Sequence, residues 1–516
     1  MWLEGLLTAL QPVNILFLIL GTIFGLIIGA LPGLGPLFAV ALMLPLTYGM
    51  NPATAIILLA AVHAATAYGD SFASILINTP GGVGSVASCW DGYPMTQKGQ
   101  AGVAMGISTL GSFLGGILGW ISLVSISPLL MRLALRLGPP EYFAIAIMAL
   151  SLLALASGGQ ILKGIFLGGI GLLLSFIGSD PITAQARFTF GSLYLQDGLP
   201  LAPVVLGLFA LSQVLVLSER GGSIAQIQSV GKVADGFKKV LQLPKTVLRA
   251  GLVGIFMGIM PALGLSSAGI VAYFVEKRAS SYPEAFGTGE PRGVLAPEIA
   301  KNACIVGDLI PTFTFGIPGS SVAAIFLAAM TMHGLQPGVQ FFERSGTLPY
   351  TVFIGILLAQ FSFFGLGIVL ARHIIKTVLI PNELLLPVIV MLSFVASFAM
   401  RGYVEDVIVT LVFGFIGYLL NRFKYPTSCL VLGLVLGGLV EANFHRSLLI
   451  GRGSYAIFFT RPIALTILLL TALAMAWSSV KTWARSAIAR SLKNRAKPQD
   501  WRGVKWLFKI FVTGSR

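Results

Sequence analysis

Apolar runs long enough to cross the ~30 Å hydrocarbon core of a bilayer, which takes about 20 helical residues, recur along the whole sequence. No other feature limits the fold as much. In lipid every backbone amide and carbonyl needs an internal partner, so a spanning chain forms helices or a closed barrel. Barrel strands read as ~10-residue segments of alternating hydrophobicity. These runs are continuous, and they predict an all-α polytopic membrane protein. Composition agrees, since 56% of the 516 residues are hydrophobic and 10% charged, whereas soluble domains are roughly one quarter charged. The start, MWLEGLLTALQPVN, lacks a basic n-region and carries Glu4, so it reads as a retained segment and not as a signal peptide.

The segment YGDSFASILINTPGG (Tyr68–Gly82) has an echo in GDLIPTFTFGIPGS (Gly307–Ser320). An offset of 238 aligns Asp70 with Asp308, Ser74 with Thr312, Pro80 with Pro318 and Gly81 with Gly319. Upstream, GLIIGALPGLG (Gly25–Gly35) matches GIFMGIMPALG (Gly254–Gly264) at an offset of 229. The chain therefore holds two related halves, each with two Pro/Gly breaks. Interrupted hydrophobic segments at corresponding positions of two halves point to a transported substrate. Only 10 residues run from Asp70 to Thr79 before Pro80, ~15 Å of helix or about half a bilayer. That length predicts a segment that enters and stops.

Loop charge sets orientation. Residues 218–245, with Lys232, Lys238, Lys239 and Lys245, read as a basic cytoplasmic linker between a first repeat (1–217) and a second (246–480). The loop Glu276–Arg292 carries three basic residues, while its first-half counterpart, Leu46–Pro52, carries none. The segment before Asn14 likewise has no Lys or Arg. Opposite bias in corresponding loops predicts two inverted repeats, each with a re-entrant hairpin, within about 11–12 transmembrane helices. The N-terminus then lies outside the cytoplasm and the C-terminus inside. The formal charge of +15 is concentrated at span ends and in residues 481–516, where Trp483, Trp501 and Trp506 interleave with basic residues. This amphipathic tail is expected on the cytoplasmic membrane surface against anionic lipid, not on nucleic acid. Cys89, Cys304 and Cys429 form neither a disulfide framework nor a zinc spacing.

Asp70 and Asp308 are the leading candidates for function, because an ionised carboxylate inside a bilayer is costly and is usually kept for ion passage or pairing. They are read either as coupling-ion or proton sites or as boundary residues capping a helix. At helical spacing Ser71, Ser74 and Asn78 share one polar face. Thr79 and Gly81 at the first break, with Thr312, Thr314, Gly316, Gly319 and Ser320 at the second, offer hydroxyls, freed amides and freed carbonyls to a substrate or ion. Lys301, seven residues before Asp308, can neutralise an aspartate or attract a carboxylate, or it is a boundary residue. A membrane-embedded enzyme using His63 or His333 is a rival reading. No phosphate loop, nucleophile elbow or metal-ligand cluster is visible, so the chain is not expected to be an enzyme or to hold a cofactor. Sodium or a proton would be its coupling ion.

At these motifs the chain resembles the large permease subunit of tripartite tricarboxylate transporters. The matching stretches are GALPGLGP (29–36), AYGDSFASILINTPG (67–81), DGYPMTQKGQAG (91–102), GVLAPEIAKNA (293–303), LIPTFTFGIPGS (309–320) and HGLQPG (333–338). The resemblance runs from about Leu16 to Gly451. It implies a bacterial inner-membrane secondary transporter that works with a periplasmic solute-binding protein and a small membrane subunit, importing a citrate-like carboxylate on a sodium or proton gradient. A transporter or channel subunit acting without a binding protein is the alternative. The sequence departs from the family pattern at Asp70 and Asp308, where glycine is usual, and at Lys301, which replaces the first asparagine of an Asn-Asn pair.

Overall fold

Proline and capping residues decide where the central helix starts and stops. Asn51 accepts the Ala53 amide at 3.0 Å and Pro52 sits in the first turn, which satisfies one free donor and needs no second. From there the helix runs without a break to Ile77, where Asn78 turns left-handed (φ 56°) and ends it. At 1.5 Å per residue its 26 residues span about 39 Å.

A computed structural model describes residues 1–80, 82–156, 161–180, 183, 185–220, 233–260, 264–377 and 382–476. Gly81, linker residues 221–232 and the basic tail 481–516 lie outside the described residues. The helices that build the interior are α1 (Pro12–Ala30), α2 (Pro52–Ile77), α3 (Val86–Gln97), α4 (Ala101–Ala134), α5 (Pro244–Ile259), α6 (Pro291–Gly307), α7 (Leu309–Phe315), α8 (Ser321–Met332) and α9 (Leu348–Thr377). Among the described residues seven helices are long and apolar enough to cross a membrane: α1, α2, α4, α9, and those within Leu201–Glu219, Val404–Arg422 and Thr427–Ile450. The pair Ala234–Leu241 and α5, bent by 85°, makes an eighth only if the two are counted as one span. Further apolar helices of 10–17 residues, such as Pro36–Thr47, Ile161–Ser175 and α8, are too short to cross alone. Several of them supplied the larger count expected from the sequence. The chain is a multi-pass, all-helical membrane protein. Its small sheet is a two-residue antiparallel pairing, Gly178 with Arg187 and Ser179 with Ala186.

In α2, 94% of the spanning window is buried, against 33% in α4 and 28% in Val404–Arg422. Thus α2 is wrapped by protein, while the spanning windows of the other two leave most of their residues less than fully buried. Tyr68 anchors the centre, with its hydroxyl 2.7 Å from that of Thr109 and its ring against Phe72 and Phe363.

The two halves repeat their local geometry. A Cβ added to Gly29 of α1 would lie 2.5 Å from the Thr66 carbonyl oxygen, and one added to Gly258 of α5 would lie 2.6 Å from that of Cys304. Only glycine lets the helices cross this closely. The two contacts are equivalent under the offsets of 229 and 238. In α2 the Asn78 and Thr79 amides return to the Ala73 carbonyl; in α7 the left-handed Gly316 (φ 69°) returns to Thr312, and Ile317 to Pro311. Gly82 and Ser320 are both extended, at φ −138° and −146°.

One expectation is corrected. Asp70–Thr79 is not a separate half-length segment, because α2 passes through Asp70 as a continuous helix. A hairpin does form, with α3 folding back on α2 so that the Thr96 hydroxyl donates to the Ile75 carbonyl at 2.8 Å. In the second half Asp308 does mark a joint, between α6 and α7.

Candidate functional site

Three charged side chains meet in the interior at 0% exposure: Asp70 on α2, and Glu298 and Lys301 one turn apart on α6. The Lys301 ammonium lies 2.6 Å from Asp70 Oδ1, 2.5 Å from Ser71 Oγ and 3.1 Å from Glu298 Oε2. Glu298 also accepts the hydroxyls of Ser71, Ser88, Ser108 and Ser112 at 2.5–3.0 Å. These donors come from α2, α3 and α4, so a single carboxylate ties four helices together. Buried carboxylates persist only when paired and hydrogen-bonded. Glu298 meets that condition. Asp70 does so by half, since its Oδ2 is buried without a hydrogen-bond partner. With two carboxylates and one ammonium, the ionised cluster carries a net negative charge.

The free Asp70 oxygen faces the first Pro/Gly tip: a Cβ on Gly82 would lie 3.0 Å from Oδ2 and 3.1 Å from the Gly35 Cα. Asp308 stands the same way at the second tip. It is 3% exposed, its Oδ1 has no hydrogen-bond partner, and a Cβ on Gly319 would fall 2.7 Å from its own Cβ. The Ser320 hydroxyl neighbours its carboxyl group. Ser74 donates to the Asp70 carbonyl at 2.9 Å and Thr312 to the Asp308 carbonyl at 2.6 Å, the same back-bond in each half.

The sequence-predicted residues thus divide. Asp70, Ser71 and Lys301 converge on Glu298; Asp308, Thr312, Gly319 and Ser320 surround the second tip. Asn78 is exposed beyond the end of α2 and shares no polar face with Ser71. The Thr79 hydroxyl turns to the Ile77 carbonyl at 3.3 Å, and the Thr314 hydroxyl to that of Ile310 at 2.6 Å. Gly316 serves as the left-handed cap. Asp70 and Lys301 are buried within helices and are neither exposed nor at a helix cap, and Asp308 makes no side-chain cap to α7. His63 packs on Phe326, and His333 Nε2 lies 3.4 Å from Thr47 Oγ1. Among the described residues neither imidazole has a carboxylate partner, and no group of three or more His, Cys, Asp or Glu could hold a metal ion.

Residues 15–432 match the model of a family described as the tripartite tricarboxylate transporter TctA family. The chain belongs to this family. Relatives of this chain include an uncharacterized 52.8 kDa protein in the TAR-I ttuC' 3'region of Agrobacterium vitis, 33% identical over 468 residues, which is 90% of this chain and 93% of that protein. An uncharacterized protein in the TAR-II ttuC' 3'region is 32% identical over 215 residues, 42% of this chain and 89% of the other.

Sequence reasoning overlooked Glu298. The signal was available: a carboxylate three residues before Lys301 in an apolar helix satisfies the same rule that singled out Asp70. Asp91 was also overlooked. It lies buried in α3, where its Oδ1 accepts the amides of Gly287, Gly289 and Glu290, each at 2.8 Å, and its Oδ2 the Tyr273 hydroxyl at 2.9 Å. That carboxylate pins the loop before α6 to the first-half hairpin.

Proposed function

We propose that this chain is the permease subunit through which a carboxylate, a tricarboxylate or similar organic anion, enters the cell by cation symport. A periplasmic solute-binding protein delivers the cargo and a small membrane subunit completes the transporter. Family membership supports the class of cargo and the two partners. The cation-coupled part rests on one observation: at equivalent positions of the two halves a buried carboxylate oxygen lacks a partner and lies against a Pro/Gly tip. Leaving a buried charged acceptor unmet is destabilising, and a bound sodium ion or proton relieves such an oxygen.

The anion belongs at the tips, where α3 and α8 begin and helix N-termini favour negative charge. Lys301 is already engaged by Asp70, Ser71 and Glu298, so it supports the cation side and does not capture the cargo. Loop charges support an inverted arrangement of the halves in the bacterial inner membrane, with the N-terminus periplasmic and the C-terminus cytoplasmic. Alternating access then moves the tips relative to a scaffold that includes the lipid-facing helices.

The test is uptake into proteoliposomes that contain the complete transporter, using a panel of carboxylates with sodium and proton gradients imposed separately. Uptake that needs both the binding protein and one gradient is expected, and Asp70→Asn and Asp308→Asn should each impair it while leaving the chain inserted. Equal uptake without the binding protein points to a stand-alone transporter or channel. Uptake indifferent to both gradients overturns symport.

A further inference from the structure

The two aspartates are equivalent in the repeat but not in their surroundings, and the difference has a direct consequence for coupling. Asp70 receives an ammonium from α6, a helix of the other half, at 2.6 Å. The offset of 238 that relates the halves places His63 at the position corresponding to Lys301. Symmetry would bring that residue to Asp308. Instead, the His63 ring lies against Phe326 with centroids 5.9 Å apart, and Asp308 has no cationic partner among the described residues. One aspartate therefore receives a counter-charge from the opposite half and the other receives none among the described residues.

We infer that Lys301 is a built-in cation occupying the charge of the Asp70 site, and that Asp308, with the Ser320 hydroxyl beside it, is where the coupling cation binds and leaves. This rests on the cation-coupled reading above and specifies its site. The position of the ammonium, 2.6 Å from Asp70 Oδ1, decides it. With Lys301 in place the buried cluster of Asp70, Glu298 and Lys301 holds one net negative charge, spread over a pair of carboxylates that between them accept four serine hydroxyls and the ammonium. A second monovalent cation entering there would meet the ammonium at short range, and like charges at such distances repel strongly in a low-dielectric interior. At Asp308 no positive charge opposes entry. The free Oδ1 and the Ser320 hydroxyl are oxygen ligands, and they lie beside the non-helical stretch from Gly316 to Ser320, the setting in which broken helices bind sodium.

The arrangement predicts cation counts. The purified full-length chain in lipid nanodiscs would be titrated with radioactive sodium at fixed pH, and its proton uptake measured in parallel on small acid jumps; the responding arm identifies the ion. Relative to the unmodified chain, Asp308→Asn should bind one cation fewer. Lys301→Met exposes two carboxylates without their ammonium and should bind one more. The double variant Asp70→Asn with Lys301→Met removes the pair as a neutral whole, avoids the buried charge that threatens folding of the single variant, and should return the count to that of the unmodified chain. A count lowered by Asp70→Asn but not by Asp308→Asn overturns the assignment, as does a Lys301→Met count equal to that of the unmodified chain. An unmodified chain that binds no cation in either arm defeats the symport reading itself, an outcome distinct from a cation bound at the wrong aspartate.

Discussion

Asp70 and Asp308 head the same motif, make the same back-bond with the hydroxyl four residues on, and leave one oxygen free toward the same kind of tip. Around Asp70 the helix is continuous and a lysine crosses from the other half; Asp308 is the single joint residue between α6 and α7, with the Ser320 hydroxyl beside it and no cationic partner among the described residues. Repetition fixes how each half folds on itself, through caps, glycine crossings and tips. It does not fix what the halves present to each other. Function can diverge at that interface while both local folds are kept, and the pair Asp70–Lys301 lies there.

The strongest way to break the comparison is to remove the ammonium. Lys301→Ala leaves Asp70 and Glu298 buried without it, and severing one partner from a buried pair costs roughly 3–5 kcal/mol. Thermal unfolding of the purified chain should show the loss. Added sodium should then stabilise the variant more than the unmodified chain, because a ligand bound only to the folded state raises stability by mass action. Equal sodium response in both would mean that the first site does not become a cation site when vacated.

A second comparison sets a satisfied buried carboxylate against an unsatisfied one. Asp91 accepts three backbone amides and a phenol, and hydrogen bonds to a charged group contribute about 1.5–3 kcal/mol. Asp91→Asn should therefore lower thermal stability by an amount in that range. Asp308→Asn should leave stability unchanged or raise it by about 1 kcal/mol, since it removes a charge whose Oδ1 has no donor, while uptake collapses. If both variants lose stability alike, Asp308 is a structural residue and its free oxygen has no role in coupling.

Much of this was legible in the sequence. The offset of 238 located both tips, and the matching left-handed caps at Asn78 and Gly316 follow from it. Gly21, Gly25 and Gly29 stand at the four-residue spacing that lets helices cross closely, and the structure places them against α2. The break expected at Asp70 was not there. The ten residues before Pro80 suggested a segment that enters and stops, but Thr109, Glu298 and Lys301 hold the side chains of Tyr68, Ser71 and Asp70 inside the bundle, so the backbone has no reason to leave the helix. The Lys301 partnership was also hidden. Spacing along one helix suggested Asp308, seven residues away; the actual partner lies 231 residues distant, on a helix that only tertiary packing brings near.

The finest test makes the first tip resemble the second. Gly82 and Ser320 occupy equivalent positions with nearly the same extended backbone, so Gly82→Ser meets no backbone strain. Its Cβ would sit 3.0 Å from Asp70 Oδ2, placing a hydroxyl within reach of the free oxygen, and 3.1 Å from the Gly35 Cα, which must give by a few tenths of an ångström. A new hydrogen bond to a charged acceptor and this crowding oppose each other, so the net change in stability should stay within about 1 kcal/mol. If Lys301 already holds the charge of the Asp70 site, no mobile cation needs Oδ2, and uptake should remain within about twofold, a barrier change near 0.4 kcal/mol. A Gly82→Ser variant that folds normally but loses cation-driven uptake would show that Oδ2 of Asp70 is itself an exchange ligand, and would make the two halves functional equals despite the lysine.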